Sequence, residues 1–187
     1  MDLGQKRDHA AIAVVERTEF LLVRHLERAP LGTPYPDVVA RVREVVQDEK
    51  LAGRCALAVD GTGVGAPVVD LLRKGHLGCD LSAVTITGGE RESQSGGVWY
   101  VPKRDLIAGV LILLEKGELK IARDLREAGA LVRELLNMRI TMAGGGRVRL
   151  GADGFGEHDD LVIALALACW RAKRRLIGFG NQRLPGI

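Results

Sequence analysis

The sequence predicts a mixed α/β fold in a single domain. Three observations predict it: two opening apolar runs typical of a strand hairpin, a later alternation of short buried strands with amphipathic helices, and a last helix whose body is almost wholly apolar. With 187 residues and 47% hydrophobic content, the chain is long enough to bury one core. The sequence shows no internal repeat that would indicate a second domain.

The strands are predicted from runs rich in Val, Ile and Leu. The first two are joined by a polar turn at 16–19, and the last two are separated by a triple glycine. Their predicted positions are 10–15, 20–26, 55–59, 81–87, 119–121 and a hairpin over 138–150. The glycine-rich segment 88–97 is expected to be a mobile loop.

The helices are predicted from apolar residues at helical spacing. The first is expected to begin with Asp37 as its N-cap, and Pro67 suits the first turn of the second because its missing N–H costs little there. The others are predicted at 103–115, 124–137 and 159–175. We expect one domain over 1–175 and a flexible C-terminal tail over 176–187.

Three short acidic stretches carry the chemical information. Asp2 opens the chain, Asp60 follows a buried strand, and Asp159 and Asp160 open the last helix. Carboxylates gathered at one end of a sheet repel each other unless a cation lies between them, and Mg²⁺ and Mn²⁺ prefer oxygen ligands. The sequence therefore predicts metal-assisted phosphoryl chemistry.

Each acid also has a purely structural interpretation. Asp60 precedes a glycine, as in a common turn pair, and Asp159 or Asp160 suits an N-cap position. Of the histidines, His158 precedes the aspartate pair and is a candidate for orienting a water or a phosphate. His9 and the remaining two histidines, His25 and His76, are expected to be ordinary surface or edge residues.

The bulk composition sets modest limits. A net charge of +3 is too small to indicate a nucleic-acid-binding protein by itself. The three widely spaced cysteines are expected to be buried reduced thiols in a cytoplasmic protein. The longest apolar stretches are shorter than the ~20 residues that span a bilayer, so no membrane association is expected.

The order of the elements resembles the ribonuclease H-like superfold, and four segments resemble the nuclease domain of phage terminase large subunits. The match runs from Asp2 to Trp170 with its motifs in the right order. Its segments are 2–15, 59–65, 101–106 with the following strand and helix, and 158–166.

The resemblance implies an endonuclease that uses two Mg²⁺ or Mn²⁺ ions to cleave double-stranded DNA with little sequence specificity. The implied metal ligands are Asp2, Asp60 and one of Asp159 and Asp160, of which Asp160 is favoured. Candidate DNA contacts are Lys6, Arg7, Lys103, Arg104 and Arg91.

The resemblance also implies a setting, namely a phage or prophage protein in the cytoplasm of a bacterial host. Its partners would be an ATPase motor, a small terminase subunit and a portal protein. The sequence contains no Gly-x-x-x-x-Gly-Lys-Ser/Thr loop, so we expect this chain not to package DNA by itself.

One departure from the family pattern concerns Asp2, which normally follows several apolar residues of a central strand. Because that strand is short here, we expect a marginally stable protein that is prone to aggregate at an exposed edge. An inactive prophage remnant or DNA-binding module is therefore an alternative. An actin-like kinase or ATPase, suggested by glycines at 61, 63 and 65, is a weaker one.

Overall fold

The computed structural model describes residues 1–4, 9–63, 65–143, 147–152 and 158–174. Within these residues strands and helices alternate as the sequence predicts for a mixed α/β domain. In chain order the elements are β1 (Ala11–Arg17), β2 (Leu21–Arg28), α1 (Tyr35–Val46), β3 (Ala56–Asp60), α2 (Gly65–Lys74), β4 (Asp80–Thr87), β5 (Ser93–Ser95), β6 (Val98–Pro102), α3 (Lys103–Glu115), β7 (Leu119–Ile121), α4 (Ala128–Asn137), β8 (Met138–Ala143), β9 (Arg147–Ala152) and α5 (Asp160–Lys173).

The strands form two sheets and a separate hairpin of β8 and β9. One sheet has the order β1-β2-β7 and the other the order β3-β4-β6-β5. The first hairpin, β1 with β2, is antiparallel as predicted, whereas β3, β4 and β6 run parallel.

Met1 and Asp2 connect the two sheets. Asp2 exchanges two backbone hydrogen bonds with Ala11 of β1, at 3.0 and 3.1 Å. On the other side, the Met1 amino group donates to the Ala58 carbonyl at 2.9 Å, and the Asp60 N–H donates to the Met1 carbonyl at 3.1 Å. Asp2 therefore occupies a central position in the layer, as the sequence predicts.

Helices cover both faces of this layer. On one face α5 packs against β1 and α3, and on the other α1 and α2 pack over a second apolar cluster. Helix α5 is buried along ten of its 14 residues, including every residue from Leu161 to Leu167. A helix that is apolar all round is stable only when it is enclosed, and this enclosure fixes where its first residues lie.

Several sequence-based predictions about element ends are wrong. Asp37 is not the N-cap of α1, because the helix begins at Tyr35 after Pro34, whose fixed φ suits that position. Helix α4 begins at Ala128, after a series of turns, and not at 124.

The segment 88–97 is not only a loop, because β5 pairs with β6 in a short hairpin. Gly96 and Gly97 both have positive φ, at 57° and 77°, which is the two-residue turn that joins antiparallel strands best.

The remaining expectations have mixed outcomes. Cys169 is buried, but Cys55 and Cys79 are only half-buried, and all three are free thiols. Within the described ranges no helix has both the length and the apolar character needed to cross a bilayer. The predicted tail 176–187 lies outside the described residues, and so do Lys6 and Arg7.

The first prediction tests the central role of α5. Leu165 is fully buried, so Leu165→Ala removes apolar contacts and leaves a cavity; it should lower the free energy of unfolding by about 2–5 kcal/mol. Leu111→Ala on α3 is the matched control, because Leu111 is 47% exposed and its loss should change stability by less than about 0.5 kcal/mol. Urea unfolding measures both, and equal losses would contradict the packing described.

Candidate functional site

Carboxylates from three separate parts of the chain meet at one edge of the sheet. Asp2 is held between β1 and β3, Asp60 ends β3, and Asp159 and Asp160 begin α5. The pKa of Asp2 is raised well above its usual value, first by burial and then by the negative charges of Asp60, Asp160 and Asp159, against a smaller opposing effect of the Met1 amino group. The predicted acidic set is thus close enough to interact electrostatically.

The turn after β3 fixes the orientation of Asp60. The Thr62 N–H and hydroxyl both donate to Asp60 Oδ1, at 2.8 and 2.5 Å. The Thr62 hydroxyl oxygen in turn accepts the Ile86 N–H at 2.8 Å, and the Gly61 N–H donates to the Val84 carbonyl at 2.6 Å. The Asp60 carboxylate is therefore tied to β4 through its own turn.

The two aspartates at the start of α5 have different surroundings. Asp159 forms an ion pair with Lys103 at 2.6 Å, with both side chains partly exposed. Asp160 is only 1% exposed and accepts the His9 backbone N–H at 3.2 Å. Asp159 occupies the N-cap position of α5, as one of the structural interpretations of the sequence predicts, but its side chain makes no capping hydrogen bond.

Two imidazoles lie beside Asp160. His9 Nδ1 donates to the Ala29 carbonyl at 2.8 Å, which leaves Nε2 of the neutral ring with a lone pair for a ligand. The rings of His9 and His158 meet edge to face at 5.0 Å between centroids, and His158 Nδ1 lies 3.8 Å from the Asp160 carboxylate. One ligand atom from each of the three residues lies within 4.8 Å of the others.

This donor set fits a divalent cation. The carboxylates suit Mg²⁺ and Mn²⁺ equally, whereas imidazole nitrogens suit Mn²⁺ better than Mg²⁺. His9, expected to be an ordinary surface or edge residue, lies in this cluster as a possible nitrogen donor. The position of His9 follows from the pairing of Asp2 with Ala11, because this pairing brings the start of the first hairpin next to the acidic edge.

A second residue that the sequence analysis missed is Glu134 of α4. It is buried, and its Oε2 accepts the N–H groups of Leu161 and Val162 at 3.0 and 3.1 Å. Its other oxygen pairs with Arg28 of β2. Glu134 therefore caps the first turn of α5 from another helix, and this contact positions Asp159 and Asp160.

The candidate DNA contacts have varied positions. Lys103 lies within the acidic site, paired with Asp159. Arg104 donates to the Glu90 carbonyl at 2.7 Å and so holds the 88–97 segment, on which Arg91 is exposed. Neither arginine is buried, so both remain candidates for contact with a charged ligand.

We predict that Glu134→Gln destabilises the protein by about 3 kcal/mol, because it leaves Arg28 without its buried partner and weakens the cap of α5. Any stabilisation of the protein by Mn²⁺ should also become smaller, since the start of α5 is less well fixed. Thermal and urea unfolding with and without Mn²⁺ measure both effects. Glu115→Gln, on an exposed site at the end of α3, is the control, and a loss no larger than in this control would contradict the role of Glu134.

A further prediction concerns repulsion in the metal-free site. The raised pKa of Asp2 means that its charged form destabilises the folded state at neutral pH, so Asp2→Asn should increase the free energy of unfolding by at least about 1 kcal/mol without metal. The same variant should lose most of the increase in melting temperature that Mn²⁺ gives the unaltered protein. Asp70→Asn, an exposed change on α2, should have neither effect. A metal-free Asp2→Asn protein that is less stable would refute the repulsion.

The overall structure is similar to several solved nuclease domains. No protein-family model and no curated protein matches the sequence. The large terminase nuclease from thermophilic phage G20c, with bound magnesium, matches with a TM-score of 0.60 and 24% identity, over 89% of this chain and 84% of that one.

More distant structures share the same architecture. A mutant nuclease domain of the large terminase subunit gp2 of bacterial virus Sf6, with manganese, matches with a TM-score of 0.59 and 14% identity, over 88% and 89% of the two chains. The human cytomegalovirus terminase nuclease domain, soaked with Mn, has a TM-score of 0.51 and 13% identity, over 88% and 82%. The chain therefore has the ribonuclease H-like fold of terminase large-subunit nuclease domains, as the sequence resemblance predicts.

Proposed function

We propose that this chain is a metal-dependent endonuclease that hydrolyses phosphodiester bonds of double-stranded DNA with little sequence preference. The observation that carries the proposal is the convergence of Asp2, Asp60 and Asp160 at one sheet edge, where burial and then the charges of Asp60 and Asp160 raise the pKa of Asp2. The fold supports it, since domains of the same fold have been solved with magnesium and with manganese.

The carboxylates require positive charge to balance them. Lys103 supplies one cation to Asp159, but the structure places Asp160 and Asp2 in buried or largely buried positions beside other acids. Two divalent ions held by Asp2, Asp60 and Asp160, with His9 and His158 as nitrogen donors, would balance this charge. Such ions would supply an activated water and would stabilise the leaving oxygen of the phosphodiester.

The protein contributes fixed ligand positions. Thr62 holds the Asp60 carboxylate, the His9 N–H holds Asp160, and the Glu134 cap holds the helix from which Asp160 projects. Because Asp159 is already paired with Lys103, Asp160 is the direct ligand in this proposal. His158, beside Asp160, is placed to orient a water or a phosphate oxygen.

Duplex DNA is the proposed substrate because the described part of the chain presents positive charge beside the acidic edge and no element that reads bases. Lys103 and Arg104 lie at the start of α3 beside the acidic edge, where they would contact the phosphates next to the cleaved bond. Lys6, Arg7 and Arg91 are proposed as further phosphate contacts. Contacts of this kind position DNA without reading its sequence.

The packaging context is part of the same proposal. An ATPase motor, a small terminase subunit and a portal protein would be partners if the chain acts in a DNA-packaging system of a phage or prophage in the bacterial cytoplasm. The domain limits of 1–175 and 176–187 stay predictions of the same kind.

The decisive experiment is cleavage of supercoiled plasmid DNA. The purified protein should nick and cut the plasmid with Mn²⁺ and with Mg²⁺, and faster with Mn²⁺ because of the two imidazoles; EDTA should stop the reaction. Asp60→Asn should lower the rate more than about 100-fold, since it removes a ligand and not merely a residue that supports one. Asp70→Asn, exposed on α2, should cut at the unaltered rate.

Two results would contradict the proposal. Cleavage that persists in EDTA would exclude a metal-dependent reaction. Equal rates for Asp60→Asn and the unaltered protein would place the active site elsewhere, provided that circular dichroism shows both to be folded.

A further inference from the structure

Two of the three cysteines lie side by side on neighbouring strands. Strands β3 and β4 run parallel, and their first paired residues are Ala56 and Asp80. Cys55 and Cys79 immediately precede these residues, so they stand opposite each other at the amino ends of the two strands. Both pack against the apolar cluster under α1 and α2, which places their side chains on the same face of the sheet. The fold thus brings together two thiols that β3 and α2 separate in the sequence.

The spacing of the strands suits a disulfide. Neighbouring strands of a sheet lie about 4.8 Å apart, and the Cα atoms of disulfide-bonded cysteines usually lie about 4.4–6.8 Å apart. The two thiols also interact directly, through a hydrogen bond that the Cys79 thiol donates to the Cys55 sulfur. A bond between the two sulfur atoms therefore requires little movement of either strand.

The thiols differ in acidity. The hydrogen bond from Cys79 lowers the pKa of the Cys55 thiol to about 7, against the opposing effect of burial. The same hydrogen bond, and then burial, raise the pKa of the Cys79 thiol. Cys55 is therefore the readier source of a thiolate, which is the nucleophile in disulfide exchange.

A small reagent can reach the pair from the side of β4. Cys79 is half-buried, and its neighbours Gly78 and Asp80 are exposed. Reactive cysteines lie in partly exposed places of this kind, whereas enclosed ones are inert. Cys169 belongs to the second class, because it is buried in α5 and burial raises its pKa to about 12.

From these features we propose that Cys55 and Cys79 form a reversible redox pair, which a low-molecular-weight disulfide oxidises to an intramolecular disulfide. The Cys55 thiolate attacks one sulfur of the reagent, which forms a mixed disulfide and releases one thiolate. Cys79 then loses its proton and attacks the Cys55 sulfur, which forms the Cys55–Cys79 bond and releases a second thiolate. Each released thiolate takes up the proton that a cysteine has lost. Two electrons thus pass from the cysteines to the reagent, which is reduced to two thiols.

The disulfide would join β3 and β4 at the end opposite Asp60. At the Asp60 end, Thr62 already ties the carboxylate to β4 through the Ile86 N–H. The new bond would close a loop that contains the whole of α2, and such a loop stabilises a protein by restricting its unfolded chain. In a reducing cytoplasm a disulfide of this kind is transient and senses oxidants. The proposal concerns the end of the sheet away from the acidic site and does not depend on the nuclease activity.

The test incubates the folded protein in mixtures of reduced and oxidised glutathione. The unaltered protein should form the Cys55–Cys79 disulfide while Cys169 stays a free thiol, as peptide mass spectrometry after alkylation would show. Oxidation should raise the melting temperature by roughly 5–10 °C, and dithiothreitol should reverse the rise. Cys79→Ser should instead keep glutathione on Cys55 as a mixed disulfide and show no such rise. Cys169→Ala is the matched control, because it keeps the pair and should still form the disulfide.

Three outcomes would overturn the proposal. The first is that Cys55 and Cys79 both remain free thiols in fully oxidised glutathione. The second is a mixed disulfide at each cysteine with no bond between them, which would show that the thiols do not meet. The third is a Cys55–Cys79 bond that appears only in urea or only between two molecules. Circular dichroism checks that Cys79→Ser is folded, and if it is not, the bond in the unaltered protein decides the matter.

Discussion

The enclosure of α5 is the constraint on which the rest of the structure depends. The helix is apolar on nearly every side from Leu161 to Leu167, so it must lie between the sheet and α3. Its N-terminal N–H groups are then buried as well, and buried donors without acceptors are costly. Glu134 accepts two of them, and Arg28 neutralises the charge that this requires. A hydrophobic requirement thus leads to a buried ion pair, and together they fix where Asp159 and Asp160 lie.

The same enclosure explains why the acidic edge is electrostatically unfavourable without a cation. Asp160 is buried because it begins a buried helix, and Asp2 is largely buried because it lies between two sheets. Burial first, and then the neighbouring negative charges, raise the pKa of Asp2 well above its usual value. A fold selected only for stability would place apolar residues here. The electrostatic cost of burying these acids together is the physical argument for a bound metal. The acids lie at one edge of the sheet, beside two imidazoles and Lys103.

Features that depend on residues close together in the sequence could be predicted, and features that depend on residues far apart in the sequence could not. The first hairpin, α3 and α5 follow from local apolar patterns, and the acids were found because each adjoins a buried run. Glu134 could not be found, because its partners lie 27 and 28 residues away and nothing nearby requires a buried carboxylate. The position of His9 beside Asp160 was not predicted, because it follows from the pairing of Asp2 with Ala11 and not from the residues next to His9. Asp37 was misjudged because Pro34, with its fixed φ, begins the helix earlier.

The position of Asp2 depends on contacts with both sheets. Two hydrogen bonds join Asp2 to Ala11 of β1, and the hydrogen bonds of Met1 join the same segment to β3. Asp160 is held in turn by the Glu134 cap at the start of α5. Ligands of a metal ion must be held within fractions of an ångström. Any ion bound at this edge would therefore depend on hydrogen bonds between distant parts of the chain and not on the residues next to either acid.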